Sequence, residues 1–340
     1  MSSIHRVAER AGVSTATVAR VLSGRATVSL ELTDRVQRAV RELNYTPNGV
    51  ARSLSRGKTN LLGLVVSDIS NPFSAQVARG LEDEAAKHNY HVLTGSSDFD
   101  PERENQLLQA FAARTVDAVA LVAATASSDA MQRLIDTKMP LVFVDRRPAG
   151  HISAPLIRTD NLTAAYDAVN YLIKLGHKDL AMISGPDEMS TASQRLLGFR
   201  TACEEAGLKV REECVRTGFL GAEGGYRAMR EVLRLKPRPT AVFSFNNMLT
   251  VGVLRALSEA GLTMPDSLSL ITFDDMELFP FVNPPITAIA QPAYQIGVEA
   301  ARVLLGLLAG EPFVPQEVTL PTEFRTRGSC AAPPTLDGKK

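Results

Sequence analysis

Hydrophobic positions along the chain repeat with two different periods, and the change falls near residue 60. Before it, apolar residues recur every three or four positions, as in amphipathic helices. After it, short apolar runs such as Leu61–Val66 and Ala118–Ala124 alternate with helical stretches of ten or more residues. Strands that alternate with such helices are typical of parallel sheets covered on both faces. Because the pattern restarts after Asn161, the sequence predicts two similar lobes of doubly wound parallel sheet.

Three short helices are predicted in the first sixty residues. The first ends at Gly12, where a left-handed backbone costs little. Ser14 caps the second helix, STATVARVL, and Ser29 opens the third, LELTDRVQRAVREL. Two short helices joined by a tight turn and braced by a third have the geometry of a helix-turn-helix. A three-helix module that binds another protein is the alternative interpretation.

The second helix carries side chains that suit the DNA major groove. Thr15, Ala16 and Arg20 project away from its apolar stripe. A methyl group contacts thymine, a hydroxyl bonds either base edge, and a guanidinium bonds guanine through two hydrogen bonds. Ser14 and Thr17 are placed to reach backbone phosphates. We therefore predict that these five residues bind DNA.

The charge distribution agrees with a polyanionic partner. Residues 1–60 contain ten arginines and lysines against four acids, a balance of +6. Because the whole chain has a formal charge of zero, the remaining 280 residues carry −6. A basic amino-terminal module on an acidic body is typical of nucleic-acid binding, although a solvated basic face would look the same.

A further helix is predicted after Tyr45, in TPNGVARSLSRG, and it is too short to be stable alone. AERAGVSTATVARVLSG, followed by ELNYTPNGVARSL, resembles the LacI family of bacterial transcription regulators, from Ile4 to about Arg327. The resemblance implies that the short helix pairs with its symmetry mate in the minor groove and that Leu54 wedges between base pairs. Ala19 stands where the family usually has serine, which removes one phosphate contact. The residues of the short helix assigned to DNA are Asn48, Ala51, Arg52 and Leu54.

The carboxyl ends of the predicted strands carry a second set of polar residues. Ligands bind beyond these ends in doubly wound folds. The acids, arginines, amide and aromatic rings found there suit a polyhydroxylated molecule. The resemblance implies the same set, adds Gln291, and implies the two-lobed fold of periplasmic binding proteins. The predicted effector-binding residues are Phe73, Asp98, Asp145, Arg146, Arg195, Phe219, Asn246, Asp274 and Gln291.

The class of effector is narrowed only in part. Met189 stands where some purine-binding relatives have arginine, which disfavours a purine. Asn247 stands where most relatives have aspartate. Arg146 and Arg195 leave a sugar acid or a sugar phosphate open beside a neutral sugar, because guanidinium groups suit carboxylates and phosphates.

Other classes of function are disfavoured by what the sequence lacks. Dinucleotide, phosphate-loop and nucleophile-elbow motifs are absent, and neither the five histidines nor the three cysteines have metal-ligand spacing. We therefore expect no enzyme activity, no metal and no cofactor. The sequence lacks a signal-like apolar segment, so a cytoplasmic location is expected. A sugar-binding protein that serves a transporter and a nucleoid-type architectural protein are the alternatives.

The sequence thus predicts an α/β protein with a small all-α headpiece and a two-lobed effector domain. The expected function is a transcription regulator, a homodimeric repressor that binds a pseudo-palindromic operator under allosteric control by a sugar or sugar derivative. The effector, the direction of its action and the operator sequence stay open. The predicted boundaries are 1–46 for the headpiece, 47–60 for the hinge helix and linker, 61–160 with 291–322 for lobe 1, 161–290 for lobe 2, and 328–340 for a disordered tail.

Overall fold

A computed structural model describes residues 4–23, 28–45, 58–124, 128–150, 152–312 and 317–334. The chain forms two compact units, one within residues 1–59 and one within residues 60–340. The predicted hinge helix and its four DNA-binding residues, Asn48, Ala51, Arg52 and Leu54, lie outside the described residues.

The amino-terminal unit is a three-helix module. Its helices are α1 (Ile4–Ala11), α2 (Thr15–Ser23) and α3 (Leu30–Glu42). Gly12 has φ of +62°, a left-handed conformation that turns the chain between α1 and α2. Ser29 caps α3, because its hydroxyl accepts a hydrogen bond from the Leu32 amide. The three helices bury one small apolar core made of Val7, Ala8, Ala11, Val18, Val36 and Ala39.

Lobe 1 is a six-stranded parallel sheet with helices on both faces. Its strand order is β11-β5-β4-β3-β1-β2, and every pair is parallel. The strands are β1 (Leu61–Val66), β2 (His91–Ser96), β3 (Ala118–Leu121), β4 (Leu141–Val144), β5 (Leu156–Thr159) and β11 (Glu317–Leu320). The helices are α4 (Pro72–Ala86), α5 (Pro101–Ala110), α6 (Asp129–Asp136) and α11 (Ala293–Ala309). Two apolar clusters, one on each face, bury the central strands.

Lobe 2 repeats this architecture with one difference. Its strand order is β12-β10-β9-β8-β6-β7, and only the edge strand β12 is antiparallel to its neighbour. The strands are β6 (Leu180–Ile183), β7 (Val215–Arg216), β8 (Ala241–Ser244), β9 (Ser269–Phe273), β10 (Thr287–Ala290) and β12 (Glu323–Arg325). The helices are α7 (Asn161–Lys174), α8 (Ser190–Glu205), α9 (Gly221–Val232) and α10 (Asn247–Glu259).

The chain passes between the lobes three times. The first crossover joins β5 to α7, the second joins β10 to α11, and the third joins β11 to β12. Two sheets of similar strand order agree with the two lobes predicted from the repeating pattern. The exact domain boundaries stay a prediction.

The segment after β12 corrects one prediction. The sequence predicts a disordered tail from residue 328, but residues 328–334 pack against lobe 2. Ser329 is fully buried, and its hydroxyl donates to the Leu270 carbonyl at 2.6 Å and accepts from the Thr287 amide at 2.8 Å. The segment has no apolar periodicity because hydroxyl and backbone hydrogen bonds attach it, so hydrophobic patterning could not reveal it.

Close contacts between helices depend on glycine in both lobes. A Cβ added at Gly252 in α10 would lie 1.9 Å from the Ala222 carbonyl oxygen. A Cβ at Gly297 in α11 would lie 2.0 Å from the Val77 carbonyl oxygen of α4. Backbone atoms at these points cannot give way, so each helix pair is held at a fixed short distance.

We expect Gly252→Ala to destabilise the protein by about 2 kcal/mol, because overpacking forces α9 and α10 apart. Urea unfolding followed by circular dichroism measures the loss. Gly306→Ala is the matched control: it also lies in a helix, but its Cβ would meet only the flexible end of Glu311. Equal stability of the two variants would contradict this account.

Candidate functional site

A cleft lies between the two lobes, at the carboxyl ends of both parallel sheets. Its empty space is about 460 Å³, including the part that opens to solvent. The cleft is lined by Ser67, Asp68, Asn71, Phe73, Ser74, Phe99, Val122, Asp145, Arg146, Met189, Thr191, Arg195, Phe245, Asn246, Asp274 and Gln291.

Two buried acids occupy equivalent positions in the two sheets. Asp145 follows β4 and Asp274 follows β9, and their φ angles are +66° and +65°. A left-handed backbone is unfavourable for residues other than glycine, and such strain is concentrated at functional sites. Both side chains are nearly buried, at 7% exposure. The local strain thus turns one carboxylate of each lobe into the cleft.

Each lobe also supplies one buried arginine with its own partners. In lobe 1, Arg146 donates to Asp145 at 3.1 Å, to the Ser67 hydroxyl at 2.6 Å and to the Ala123 carbonyl at 2.7 Å. Its guanidinium is therefore paired with a carboxylate and held in one orientation.

Arg195 in lobe 2 is held mainly by aromatic rings. Its guanidinium lies 4.7 Å from the ring centroid of Phe245 and 3.5 Å from that of Phe273. It donates to the Asn161 side chain at 2.8 Å and to the Phe245 carbonyl at 2.7 Å. Burial lowers its pKa, while the charges of Asp274 and Asp145 act in the opposite direction.

Hydrogen bonds connect the cleft to the crossovers. Gln291, in the second crossover, donates to Asp274 Oδ1 at 2.6 Å and accepts from the Thr159 hydroxyl at 2.6 Å. Asn161, in the first crossover, donates to the Thr159 carbonyl at 3.2 Å and also holds Arg195. Burial raises the pKa of Asp274, and Arg195 and Gln291 partly offset that rise.

Two buried polar atoms of the lining have no hydrogen-bond partner among the described residues. They are Asp145 Oδ1 and Thr191 Oγ1. Buried polar atoms without a partner are rare in folded proteins, and a bound hydroxyl would satisfy both of these. The cleft can therefore accept hydrogen bonds from a polar ligand and offer aromatic faces to its apolar side.

The amino-terminal unit presents an exposed helix surface. On α2, Ala16 and Arg20 are exposed one turn apart, and Thr15 and Thr17 are partly buried. Ser14, at the helix start, lies 3.0 Å from the Thr17 hydroxyl and accepts from the Thr17 amide at 3.2 Å. The apolar stripe of the same helix, with Val18 fully buried, packs against the other two helices.

Comparisons with known proteins identify both parts of the chain. Residues 3–48 match the family model "Bacterial regulatory proteins, lacI family", and residues 169–330 match a periplasmic binding protein-like domain. The HTH-type transcriptional repressor CytR of Escherichia coli is 36% identical over 328 residues, which cover 96% of both chains. The chain belongs to the LacI family of bacterial regulatory proteins.

Solved structures agree with this assignment to the LacI family. The lac repressor dimer bound to operator and the anti-inducer ONPF matches with a TM-score of 0.85 and 26% identity, over 97% of this chain and 99% of that chain. The complex of the transcriptional regulator CelR with cellobiose matches with a TM-score of 0.74 and 29% identity, over 97% and 100%. The chain is thus a DNA-binding transcription regulator with an effector domain.

Seven of the nine predicted effector residues of this LacI-family protein line the cleft. Two do not. Asp98 is exposed and pairs with Arg103, and the partly buried Phe219 precedes α9 and packs against the core of lobe 2. The seven are Phe73, Asp145, Arg146, Arg195, Asn246, Asp274 and Gln291.

The sequence interpretation missed several lining residues. Phe99 and Phe245 lie within three residues of strand ends, where the same rule would have found them. Asn71 and Thr191 lie at or near helix starts, and their residue types are ordinary at such positions. Nothing in the sequence distinguishes them from residues that only cap a helix.

The described residues of the LacI-family chain contain neither a metal-binding cluster nor a membrane-spanning helix. No group of three or more histidines, cysteines, aspartates or glutamates there is placed to hold a metal ion. None of the helices described is long and apolar enough to cross a membrane.

A buried acid lies behind the cleft. Glu104 in α5 is 1% exposed, and its carboxylate accepts a hydrogen bond from the Ala124 amide at 2.6 Å. Burial raises its pKa to about 7, although the Ala124 amide and the charge of Arg146 favour the ionised form. The folded state therefore holds the proton more tightly than the unfolded chain does.

We expect the free energy of unfolding to fall by as much as about 3 kcal/mol as pH rises from 4.5 through 7, because Glu104 ionises while buried. Glu104→Gln keeps an acceptor for Ala124 and removes this loss, so it is more stable than the wild type at pH 8. Urea unfolding at pH 5 and pH 8 measures both. Glu102→Gln, exposed on the same helix, is the control; a Glu104→Gln variant with the wild-type pH dependence would refute the assignment.

Proposed function

We propose that this LacI-family chain is a repressor that binds a pseudo-palindromic operator as a homodimer, under control by a sugar or sugar derivative in the cleft. The observation that carries the proposal is the presence of a helix-turn-helix and a polar interlobe cleft in one chain. The lac repressor dimer bound to operator shares this organisation over nearly its whole length.

DNA reading is assigned to α2. Ala16 and Arg20 are exposed on one face, as base contact requires, and Ser14, Thr15 and Thr17 lie at the amino-terminal end of the helix. The paired modules of a dimer would read two half-sites about one helical turn apart. The short segment containing Asn48, Ala51, Arg52 and Leu54 would enter the minor groove between them.

The proposed dimer is supported by an exposed apolar surface in lobe 2. Leu278 and Phe281 are 66% and 82% exposed on the loop between β9 and β10. Contiguous apolar patches are typical of surfaces that another chain covers, and these two side chains, three residues apart, are candidates for such a patch. A second copy of this chain fits, because reading a pseudo-palindrome requires two identical headpieces.

The effector chemistry follows from the cleft. Carboxylates and amides suit neighbouring hydroxyl groups, and Phe73, Phe99 and Phe245 offer apolar faces to a sugar ring. Arg146 is already paired with Asp145. A neutral sugar therefore fits better than a sugar acid or phosphate, and the CelR relative is known with cellobiose.

Control of DNA binding requires that the effector bind two arrangements of the lobes with different affinities. An effector shifts the DNA-binding population only if it binds one arrangement of the lobes better than the other. We propose that this arrangement sets the separation of the two paired hinge segments. The protein acts in the cytoplasm, where its operator is, and performs no catalysis.

Arg20→Ala is expected to lose discrimination of about 1–3 kcal/mol at one base pair of each half-site, because it removes a two-bond contact to guanine. Binding to operators with each base substituted in turn measures this. Arg38→Ala, which removes an exposed arginine of α3 paired with Asp34, is the control for lost positive charge. Unchanged preference at every base pair would remove Arg20 from the set of base-reading residues.

Asp274→Ala is expected to keep operator affinity and to abolish the response to effector, because a buried acceptor in the cleft is lost. A thermal-shift screen against sugars, sugar acids, sugar phosphates and purines first finds the effector through its stabilisation of the fold. Operator binding is then titrated with that compound. Asp98→Ala removes an acid outside the cleft and should respond normally; an intact response in Asp274→Ala would contradict the cleft assignment.

A further inference from the structure

Asn71 and Asn247 make a direct hydrogen bond between the two lobes. Asn71 precedes α4 in lobe 1, and Asn247 is the first residue of α10 in lobe 2. Asn247 Nδ2 donates to Asn71 Oδ1 at 3.0 Å. Asn247 is fully buried, so water does not compete freely for this donor.

The donor and the acceptor of this bond are fixed by the two helix starts. Asn71 Oδ1 also accepts from the Phe73 amide at 3.0 Å, and Asn247 Oδ1 accepts from the Met248 amide at 2.7 Å. Neither asparagine side chain can flip by 180° without losing its hydrogen bond to the backbone amide. The donor must therefore come from lobe 2 and the acceptor from lobe 1.

The bond lies two or more strands from each crossover: in lobe 2, Asn247 follows β8, which is two strands from β10, where the second crossover begins. Asn71 follows β1, which is three strands from β5, where the first crossover begins. Neighbouring strands are about 4.8 Å apart, so the separation across the sheet is about 14 Å. A bond at this distance from the connecting segments resists rotation of one lobe against the other more strongly than a bond beside them.

We propose that the Asn71–Asn247 hydrogen bond is a clasp that keeps the cleft closed before effector binds. It thereby sets the effector concentration that is needed. An effector that binds the closed form has an apparent affinity proportional to the fraction of protein that is closed. The link to effector response rests on the proposed function. The clasp itself can be tested without an effector.

Three substitutions separate the clasp from other effects. Asn247→Asp keeps the acceptor for Met248 but turns an oxygen towards Asn71. Asn71→Ser keeps a helix cap while withdrawing the acceptor from Asn247, with no change of charge. Asn71→Asp is the matched control, since a carboxylate accepts from Phe73 and Asn247 together.

The readout is the distance between the lobes in effector-free protein, measured by pulsed electron paramagnetic resonance. Spin labels are placed at exposed Gln132 of lobe 1 and Lys209 of lobe 2. Non-cysteine chemistry is used because the chain has three cysteines. Dilution with unlabelled protein makes each distance a measurement within one chain, and circular dichroism establishes that each variant is folded.

We expect Asn247→Asp and Asn71→Ser to raise the ratio of open to closed protein about five- to tenfold, as loss of one sheltered hydrogen bond does. Asn71→Asp should keep the wild-type distribution. Unchanged distances in both breaking variants would overturn the clasp. A raised ratio of open to closed protein in Asn247→Asp but not in Asn71→Ser would also overturn the clasp, since the added negative charge would then be the cause.

The measurement needs no effector and no DNA. Failure to find a sugar ligand would therefore weaken the proposed function and leave the clasp standing. If a sugar controls operator binding but both Asn247→Asp and Asn71→Ser keep the wild-type interlobe distances, the proposed function stands and the clasp is overturned.

Discussion

The arrangement of the effector domain depends on the hydrogen bonds around Thr159, which join two of the three crossovers between the lobes. Its hydroxyl donates to Gln291 and its carbonyl accepts from Asn161, so the first two crossovers meet at one fully buried residue. Through these two amides the same residue is linked to Asp274 and to Arg195 in the cleft. A ligand that moves either charged group therefore acts directly on the segments about which the lobes turn.

The charges of the cleft are arranged so that burial is tolerable. Isolated buried charges are strongly unfavourable, and each arginine here has a different compensation. Arg146 has a carboxylate, whereas Arg195 has two aromatic rings and neutral acceptors. Asp274 has an amide at hydrogen-bond distance instead of a cation. This leaves neutral hydroxyl groups as the chemistry that disturbs the balance least.

Much of the architecture follows from pattern, and the limits of pattern are physical. Alternation of buried strands with helices predicted both lobes, and the strand-end rule found Asp145 and Asp274 because parallel strands bring their carboxyl ends together. Asp98 lies outside the cleft lining, since the chain leaves β2 in a left-handed turn and presents Phe99 to the cleft instead. The hydrogen bond between Asn71 and Asn247 could not be predicted this way, because it depends on how the two lobes meet. The packed segment after β12 was missed because hydrogen bonds, together with the isolated Cys330 packed against the lobe 2 core, hold it, and neither produces an apolar period in the sequence.

The order of the last two strands has a consequence for how the protein is made. β11 completes the sheet of lobe 1 and β12 completes that of lobe 2, and both lie after residue 316. Neither sheet can be complete while the ribosome is still translating the middle of the gene. A stop codon anywhere before residue 317 would remove an edge strand from both lobes at once, so both sheets of the effector domain depend on the same short segment of the message.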